Sequence, residues 1–384
     1  MTTEADFSHL SRFPGETGNT FDVVLHQFEK VNRVPVPLFA VLLLLLSALP
    51  NRFSLPDSLV LWGFCLADWL LLALLPHFKR SFGPAQPPVS LLAGLRAVFA
   101  LLPGPVNLVL QGLGTLLVLY SFWIEPQRLT TTFQKLASSK LPNNFKLRVL
   151  HLGDLHIERL TRREEAILAE IDRLGPDLLL FSGDILNLSY RTDPTAIEQA
   201  HQFIQKWHAP LGVYLVSGSP AVDLAEILPV LLSGLPVHRL TTDKVTLQHN
   251  GAAFDLVGLT CTHRPHVDGP HLEELLPQSP ERFTILLYHT PDLAPVAARL
   301  GVDLQLSGHT HGGQVRIPGF GALVTGSLYG KLYEAGRIQV KNMVLYVTRG
   351  LGLEGAAAPR LRLFCPPEMI LWEITGTAET TPHF

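Results

Sequence analysis

Six residues in the second half of the chain are of the types that hold metals: Asp154, His156, Asp184, His289, His309 and His311. Each lies just past a short apolar run, in LHLGDLH, LLFSGD, LLYH and LQLSGHTH. Imidazoles combined with carboxylates suit borderline transition metals (Zn, Fe, Mn, Co or Ni) better than Ca or Mg alone. Asp184 can lend one oxygen to each of two such ions. Two divalent cations side by side clamp an anionic tetrahedral centre and acidify a bridging water, so that hydroxide forms near neutral pH. The chemistry this implies is attack of metal-bound hydroxide on a phosphodiester, a phosphomonoester or a pyrophosphate. A fifth run of the same kind, VYLVSGSP, ends in Ser219 and Pro220, neither of which grips a cation firmly.

The elements that must position these groups follow from periodicity. From Lys146 onward, apolar runs at 147–152, 177–182, 213–217, 283–288 and 302–307 alternate with stretches of helical period, and VLYVTR and MILWEI follow them. RREEAILAEIDRLG places Ala166, Ile167, Ile171 and Leu174 on one helical face. PTAIEQAHQFIQKWH, VDLAEILPVLLSG and PDLAPVAARLG are expected helices as well. Near-continuous apolar runs of this length read as buried strands in an α/β fold, with helices on both faces of a sheet. Sites in such sheets form beyond the carboxyl ends of strands. Asp154-x-His156 and His309-x-His311 are expected to leave those ends on extended backbone, which sends alternate side chains toward one point.

The first third of the chain is built differently. Apolar runs occupy 37–50, 58–76, 90–102 and 106–124, and a bilayer span needs roughly 20 apolar residues. The second and fourth runs meet that length, the first does so with help from Val34 to Pro37, and the third is short and carries Arg96. The expectation is a segment over 1–35, a membrane domain over 36–124 with three or four transmembrane helices, a linker over 125–145, a catalytic domain over 146–376 and a tail over 377–384. A cleaved signal peptide fits poorly, because several apolar runs follow the first. With four spans and the N-terminus inside, Lys30, Arg33, Lys79, Arg80, Arg128, Lys135 and Lys140 are cytoplasmic and only Arg52 is outside. That places the catalytic domain on the cytoplasmic side; if the third run does not cross, the domain changes face. Asp68, inside the second run, is costly there unless it faces protein or water, and marks a polar contact between helices.

The motifs GDLHIE (153–158), GDILN (183–187), LLYHTPD (286–292) and SGHTHGGQ (307–314), with YVTRGLG and CPPE nearer the end, resemble the calcineurin-like metallophosphoesterases. The resemblance is to their membrane-attached bacterial branch of YkuE and YaeI type. It spans roughly 146–374 and implies a four-layer α/β/β/α sandwich behind the N-terminal transmembrane helices. It implies two divalent transition metal ions, one on Asp154, His156, Asp184 and His311, the other on Asp184, His289 and His309. In the family, a third block reads GNH, its Asn binding the second metal and its His contacting the scissile phosphate. Here the block is Gly218-Ser219-Pro220. Ser219 offers a hydroxyl where the family has an amide oxygen, and Pro220 has no proton to give. Three consequences compete: a weakly held second metal with slower hydrolysis, rescue by Asp223, His263 or His266 from nearby loops, or a binding and sensing module without turnover. Asp223 reads more readily as the N-cap of the next helix, and His263 and His266 as loop residues. The substrate expected is a phosphate ester, with a lipid-linked one suggested by the membrane runs.

Other signals carry less. GLGLEG (350–355) matches a dinucleotide fingerprint on paper, but no adequate helix follows it to receive a phosphate. Ser219 lacks the G-x-S-x-G frame of a nucleophile elbow. Asn187 is either an outer partner of a ligand or a turn residue, Arg349 either a phosphate contact or a surface arginine, and RTDP (191–194) a loop leading into a helix. A net charge of −3 without a long basic run gives no sign of nucleic-acid binding, and the three cysteines, Cys65, Cys261 and Cys365, lack metal or disulfide spacing.

Overall fold

The computed structural model describes residues 3–16, 18–276 and 280–377. They form two compact units, one made of the residues up to Asn19, Leu129–Leu353 and the residues from Phe364, the other of Thr20–Arg128 with Glu354–Leu363. This division departs from the expected one in three places. The first residues join the phosphoesterase-like unit, the stretch 125–145 supplies a strand instead of a linker, and Glu354–Leu363 groups with the N-terminal helices. The expected tail lies, from residue 378, outside the described residues.

The strands of the larger unit, in chain order, are β1 (Thr130–Ser138), β2 (Lys146–Leu152), β3 (Leu178–Phe181), β4 (Val213–Leu215), β5 (His238–Arg239), β6 (Thr242–His249), β7 (Ala252–Leu259), β8 (Thr284–Leu287), β9 (Leu304–Ser307), β10 (Arg316–Ile317), β11 (Gly321–Ala322), β12 (Gly336–Val340), β13 (Met343–Val347) and β14 (Glu368–Gly376). One six-stranded sheet has the order β1-β14-β2-β3-β4-β5, a second the order β12-β13-β9-β8-β7-β6, and β10 and β11 form a separate hairpin.

The two sheets face each other through Leu147, Val149, Leu178, Leu180, Leu256, Ile285, Leu287 and Leu306. The alternate residues of the first sheet, Leu150, Leu179, Phe181 and Leu215, pack on Ile167, Ile171 and Phe203 of the helices Arg162–Leu174 and Pro194–Ile204. Those of the second, Val257, Leu286 and Leu345, pack on Leu272 and Ala297 of Pro265–Leu275 and Ala294–Arg299. The result is the α/β/β/α sandwich. Periodicity alone suggested a single sheet between helices, because a strand buried on both faces looks the same whether a helix or a second sheet covers it.

Helix starts carry their own chemistry. Thr161 and Glu164 form a reciprocal capping box on Arg162–Leu174, and Asp193 of RTDP accepts from the Ala196 amide to cap Pro194–Ile204. VDLAEILPVLLSG does not become the expected helix; only Leu228–Leu231 is helical. Its first acid is committed elsewhere, as the next section shows.

In the other unit, Leu55–Leu74 and Gly104–Gln127 are each long and apolar enough to cross a bilayer, and Thr20–Arg33 with Val36–Ala48 qualifies only as a pair bent by 110°. The third apolar run forms Gln86–Phe99, a 14-residue helix too short for a full span. The polar contact expected of Asp68 is present. Its carboxylate takes both arms of the Arg96 fork at 2.6 and 2.7 Å, and the same guanidinium reaches Gln111 and Thr115 of the last helix. Both partners are buried. Removing one strands the other, at a cost of about 3–5 kcal/mol, whereas replacing both with apolar side chains is often neutral. Asp68→Leu is therefore expected to lower the melting temperature of detergent-solubilised protein sharply, and Asp68→Leu with Arg96→Met to recover most of the loss. An unchanged melting temperature in the single variant would show that the pair does not hold these helices.

Candidate metal centre

β2, β3 and β4 run parallel within one sheet, as do β7, β8 and β9 within the other. Asp154 and His156 follow β2, Asp184 follows β3, Ser219 follows β4, His289 follows β8, and His309 and His311 follow β9. The structure brings all of them together. His156 Nε2 lies 3.5 Å and His289 Nε2 3.4 Å from Asp184 Oδ2. His289 Nδ1 is 3.9 Å from Asp154 Oδ1, and the Nε2 atoms of His156 and His311 approach to 2.9 Å. The rings of His289 and His309 are 5.2 Å apart. Asp184 thus stands between the two halves of the cluster.

The route to this convergence corrects the extended-backbone expectation. Asp154, His156, Asp184, His309 and His311 all have positive φ, between 44° and 71°. Non-glycine residues pay strain in that region and persist there only where the surroundings over-determine them. Those surroundings are visible. The His309 amide donates to both oxygens of Asp154 at 3.0 and 3.1 Å, and the amide of Ser219 donates to Asp184 Oδ1 at 2.7 Å. Gly218 packs so tightly on Asp184 that a Cβ there would overlap its carboxylate.

Asp223 is not an N-cap. Its carboxylate accepts from the amides of Asp184, Ile185 and Gly218 at 2.9, 3.0 and 2.7 Å, which ties the loop after β3 to the loop after β4. Asn187 is a turn residue, accepting from the Ser189 amide and donating to the Leu353 carbonyl. Arg349 is paired with Glu368 at 3.2 Å. No helix follows GLGLEG among the described residues, so no dinucleotide site forms there. His266 packs against Phe13, with ring centroids 5.7 Å apart.

His263, one of the three residues offered as rescuers of the third block, lies in the loop after β7. It joins His289 and His309 in a group whose ligand atoms all lie within 4.8 Å of one another. A second such group is Asp154, Asp184 and His289. The signal that could have found His263 is the run AAFDLVGL, which is β7, parallel to β8, with His263 beyond its tip.

The electrostatics are those of a site that demands positive charge. Burial, with the Asp184 charge adding, pushes Asp154 up to about 6. Burial also works to raise Asp184, but the charge and hydrogen bond of His289 outweigh it and hold the carboxyl well below the usual range. Burial disfavours charge on His289, yet Asp184 and Asp154 push it up to about 9. Burial, then the charge of His289, takes His309 down to about 3. Two buried carboxylates thus face the His289 imidazole, while burial holds His263 and His309 toward the neutral form, with lone pairs available. His156 Nδ1, His263 Nε2 and His309 Nε2 are buried without a hydrogen-bond partner among the described residues. Orphaned imidazole nitrogens around paired carboxylates fit divalent transition metals.

Comparison with known proteins places this architecture. The sequence profile of the calcineurin-like phosphoesterases matches residues 147–313, and the chain belongs to that family of metal-dependent phosphate-ester hydrolases. More particularly, it is 30% identical over 270 residues to the uncharacterized metallophosphoesterase YkuE of Bacillus subtilis, covering 67% of this chain and 90% of that protein. It is 27% identical to the phosphodiesterase YaeI of Escherichia coli (66% and 92% covered) and 25% identical to the UDP-2,3-diacylglucosamine pyrophosphatase LpxG of Chlamydia trachomatis (60% and 85% covered).

Proposed function

We propose that the protein is a membrane-anchored, metal-dependent phosphoesterase that hydrolyses a phosphodiester or pyrophosphate bond in a lipid-linked substrate. The observation that carries this reading is the convergence of Asp154, His156, Asp184, His289, His309 and His311 on one buried cluster with Asp184 between its halves. Asp154, His156, Asp184 and His311 are the set that would hold one cation, and Asp184, His289 and His309 the core of the set for a second. When bound, such cations supply Lewis acidity toward a phosphoryl oxygen and acidify water. The chain's own part is to orient them. The Ser182 carbonyl accepts from His289 Nδ1 at 2.8 Å, which turns Nε2 toward Asp184. The Asp223 brace fixes the loops that carry Asp184 and Ser219. The Ser219 hydroxyl, 3.1 Å from His289 Nε2, occupies the position where the family has an amide.

The lipid-linked substrate is supported by LpxG, a relative whose name states one, and by exposed Ile317, Phe320, Leu323 and Val324. Those residues lead into Gly326, which packs against the His309 ring. Membrane anchoring is supported by Leu55–Leu74 and Gly104–Gln127. Residues up to Asn19 share a unit with the phosphoesterase domain, so the chain between them leaves and returns to one face. Two crossings satisfy that condition and three do not. With two, Lys30, Arg33, Arg52, Arg128, Lys135 and Lys140 share the domain's face, against Lys79 and Arg80 on the other. The positive-inside bias then makes that face cytoplasmic.

The test uses full-length protein in detergent, bis-p-nitrophenyl phosphate, and chelation followed by Mn²⁺ or Zn²⁺. Hydrolysis is expected to vanish on chelation and return with either ion. A second reading, a domain that binds without turnover, is favoured by the Gly218-Ser219-Pro220 loop alone. Bound metal with no hydrolysis would select it.

A further inference from the structure

Three imidazoles in the cluster are held in one manner. His289 hydrogen-bonds the Ser182 carbonyl, the His309 ring the Gly326 carbonyl, and the His263 ring the Pro14 carbonyl. His263 is 3% exposed, and its Nε2 has no hydrogen-bond partner among the described residues. Its ring stands edge-on to His309 at 4.5 Å and to His289 at 5.7 Å between centroids. A metal-bound histidine characteristically donates its other nitrogen to an outer acceptor, which fixes the tautomer and frees the ligating nitrogen. His263 meets that description as fully as the two family ligands beside it, and at φ 64° it adopts the same left-handed backbone as most of the cluster.

We propose that His263 is the fourth ligand of the second cation, in place of the amide that Ser219 lacks, and that the N-terminal segment Phe13–Glu16 seats it. The inference rests on the metal-dependent reading above. The segment is built for the role. Phe13 is buried, and its ring lies beneath the Arg264 guanidinium; Glu16 takes Arg264 Nε at 2.5 Å. Between them Pro14 presents its carbonyl to His263, while Gly15, at φ +81°, lies so close to that ring that any side chain would collide with it. A stretch upstream of the apolar helices thus completes a site otherwise made by loops more than a hundred residues later. The substitution in the third block is then a relocation of a ligand, and the second site keeps four protein ligands: Asp184, His263, His289 and His309.

The experiment measures Mn²⁺ and Co²⁺ bound per chain, by elemental analysis after equilibrium dialysis and by Co²⁺ absorption, on full-length protein in detergent. Wild type is expected to hold two ions. His263→Ala should keep the first and bind the second more weakly than the 10–100-fold that loss of an outer partner costs. Ser219→Asn added to His263→Ala should return the second ion, because it restores an amide oxygen from the other loop. Gly15→Leu, whose side chain would press on the His263 ring and leave His289 and His309 in place, should weaken the second site by roughly 10–100-fold and spare the first. Two ions of unaltered affinity in His263→Ala would overturn the ligand assignment and leave the metal-dependent reading standing. An unaltered second site in Gly15→Leu would overturn the role of the N-terminal segment. Wild type that binds no ion would remove the parent reading and this one with it.

Discussion

Asp184→Asn is expected to abolish metal-dependent hydrolysis of bis-p-nitrophenyl phosphate and to deplete both cations, with the fold retained. The substitution keeps the shape of the side chain and one oxygen, so the hydrogen bond from the Ser219 amide to Oδ1 survives. What it removes is the charge that faces His156 at 3.5 Å and His289 at 3.4 Å through Oδ2. Stranding a buried charge by deleting its partner costs about 3–5 kcal/mol, or roughly 10²–10⁴ in the affinity of a cation held there. Because Asp184 belongs to both halves of the cluster, the loss should appear at both sites, unlike the single-site loss at His263. Metal content by elemental analysis and kcat/KM on the model diester check this together. Wild-type values for both quantities would mean that the cluster is not the reacting centre.

The comparison of sequence with structure turns on what each type of signal records. Strand runs such as LRVLHL and VDLQLS were legible because burial on both faces leaves an unbroken apolar string, and β2 and β9 lie there. The tips of such strands exposed directly the six residues that the structure gathers into one cluster. β7 escaped because alanine and aspartate interrupt its pattern, and β6, its partner, alternates toward solvent. With β7 went its tip, and so the loop residue His263 stood only as one possible rescuer beside Asp223 and His266. Asp223 failed for a different reason. An acid just before an apolar stretch has the composition of a helix cap, and only tertiary geometry reveals two amides of the loop after β3 and one of its own loop already waiting for it. The left-handed backbone of the ligands is likewise invisible to a period count, since it is imposed by contacts such as the one between His309 and Asp154. Asp68 and Arg96 were each legible as misfits in apolar runs; that they answer each other depends on helix packing, which no local pattern encodes.

Pro220→His is expected to raise kcat by about 10²–10³, the amount that one transition-state donor typically contributes, with little change in metal content. The reasoning begins with what the loop after β4 now offers. Ser219 is already engaged, its amide on Asp184 and its hydroxyl 3.1 Å from His289 Nε2. Pro220 follows it, exposed to solvent, with neither an amide hydrogen nor a side-chain donor. His289 is held between Asp184 and the Ser182 carbonyl and is not available to a phosphate. Beyond the engaged Ser219 hydroxyl, the Gly218-Ser219-Pro220 block therefore brings no side-chain donor to charge developing on a phosphoryl oxygen. An imidazole at 220 acts only as that charge appears, so the gain should fall on kcat and leave KM nearly constant. Ser219→Asn alone should do little for rate if His263 supplies the fourth ligand as proposed above. Loss of the proline's rigidity costs the fold about 0.4–1 kcal/mol, too little to mask a rate gain of that size. If Pro220→His leaves kcat unchanged while the protein still binds two ions, the phosphate does not approach this loop.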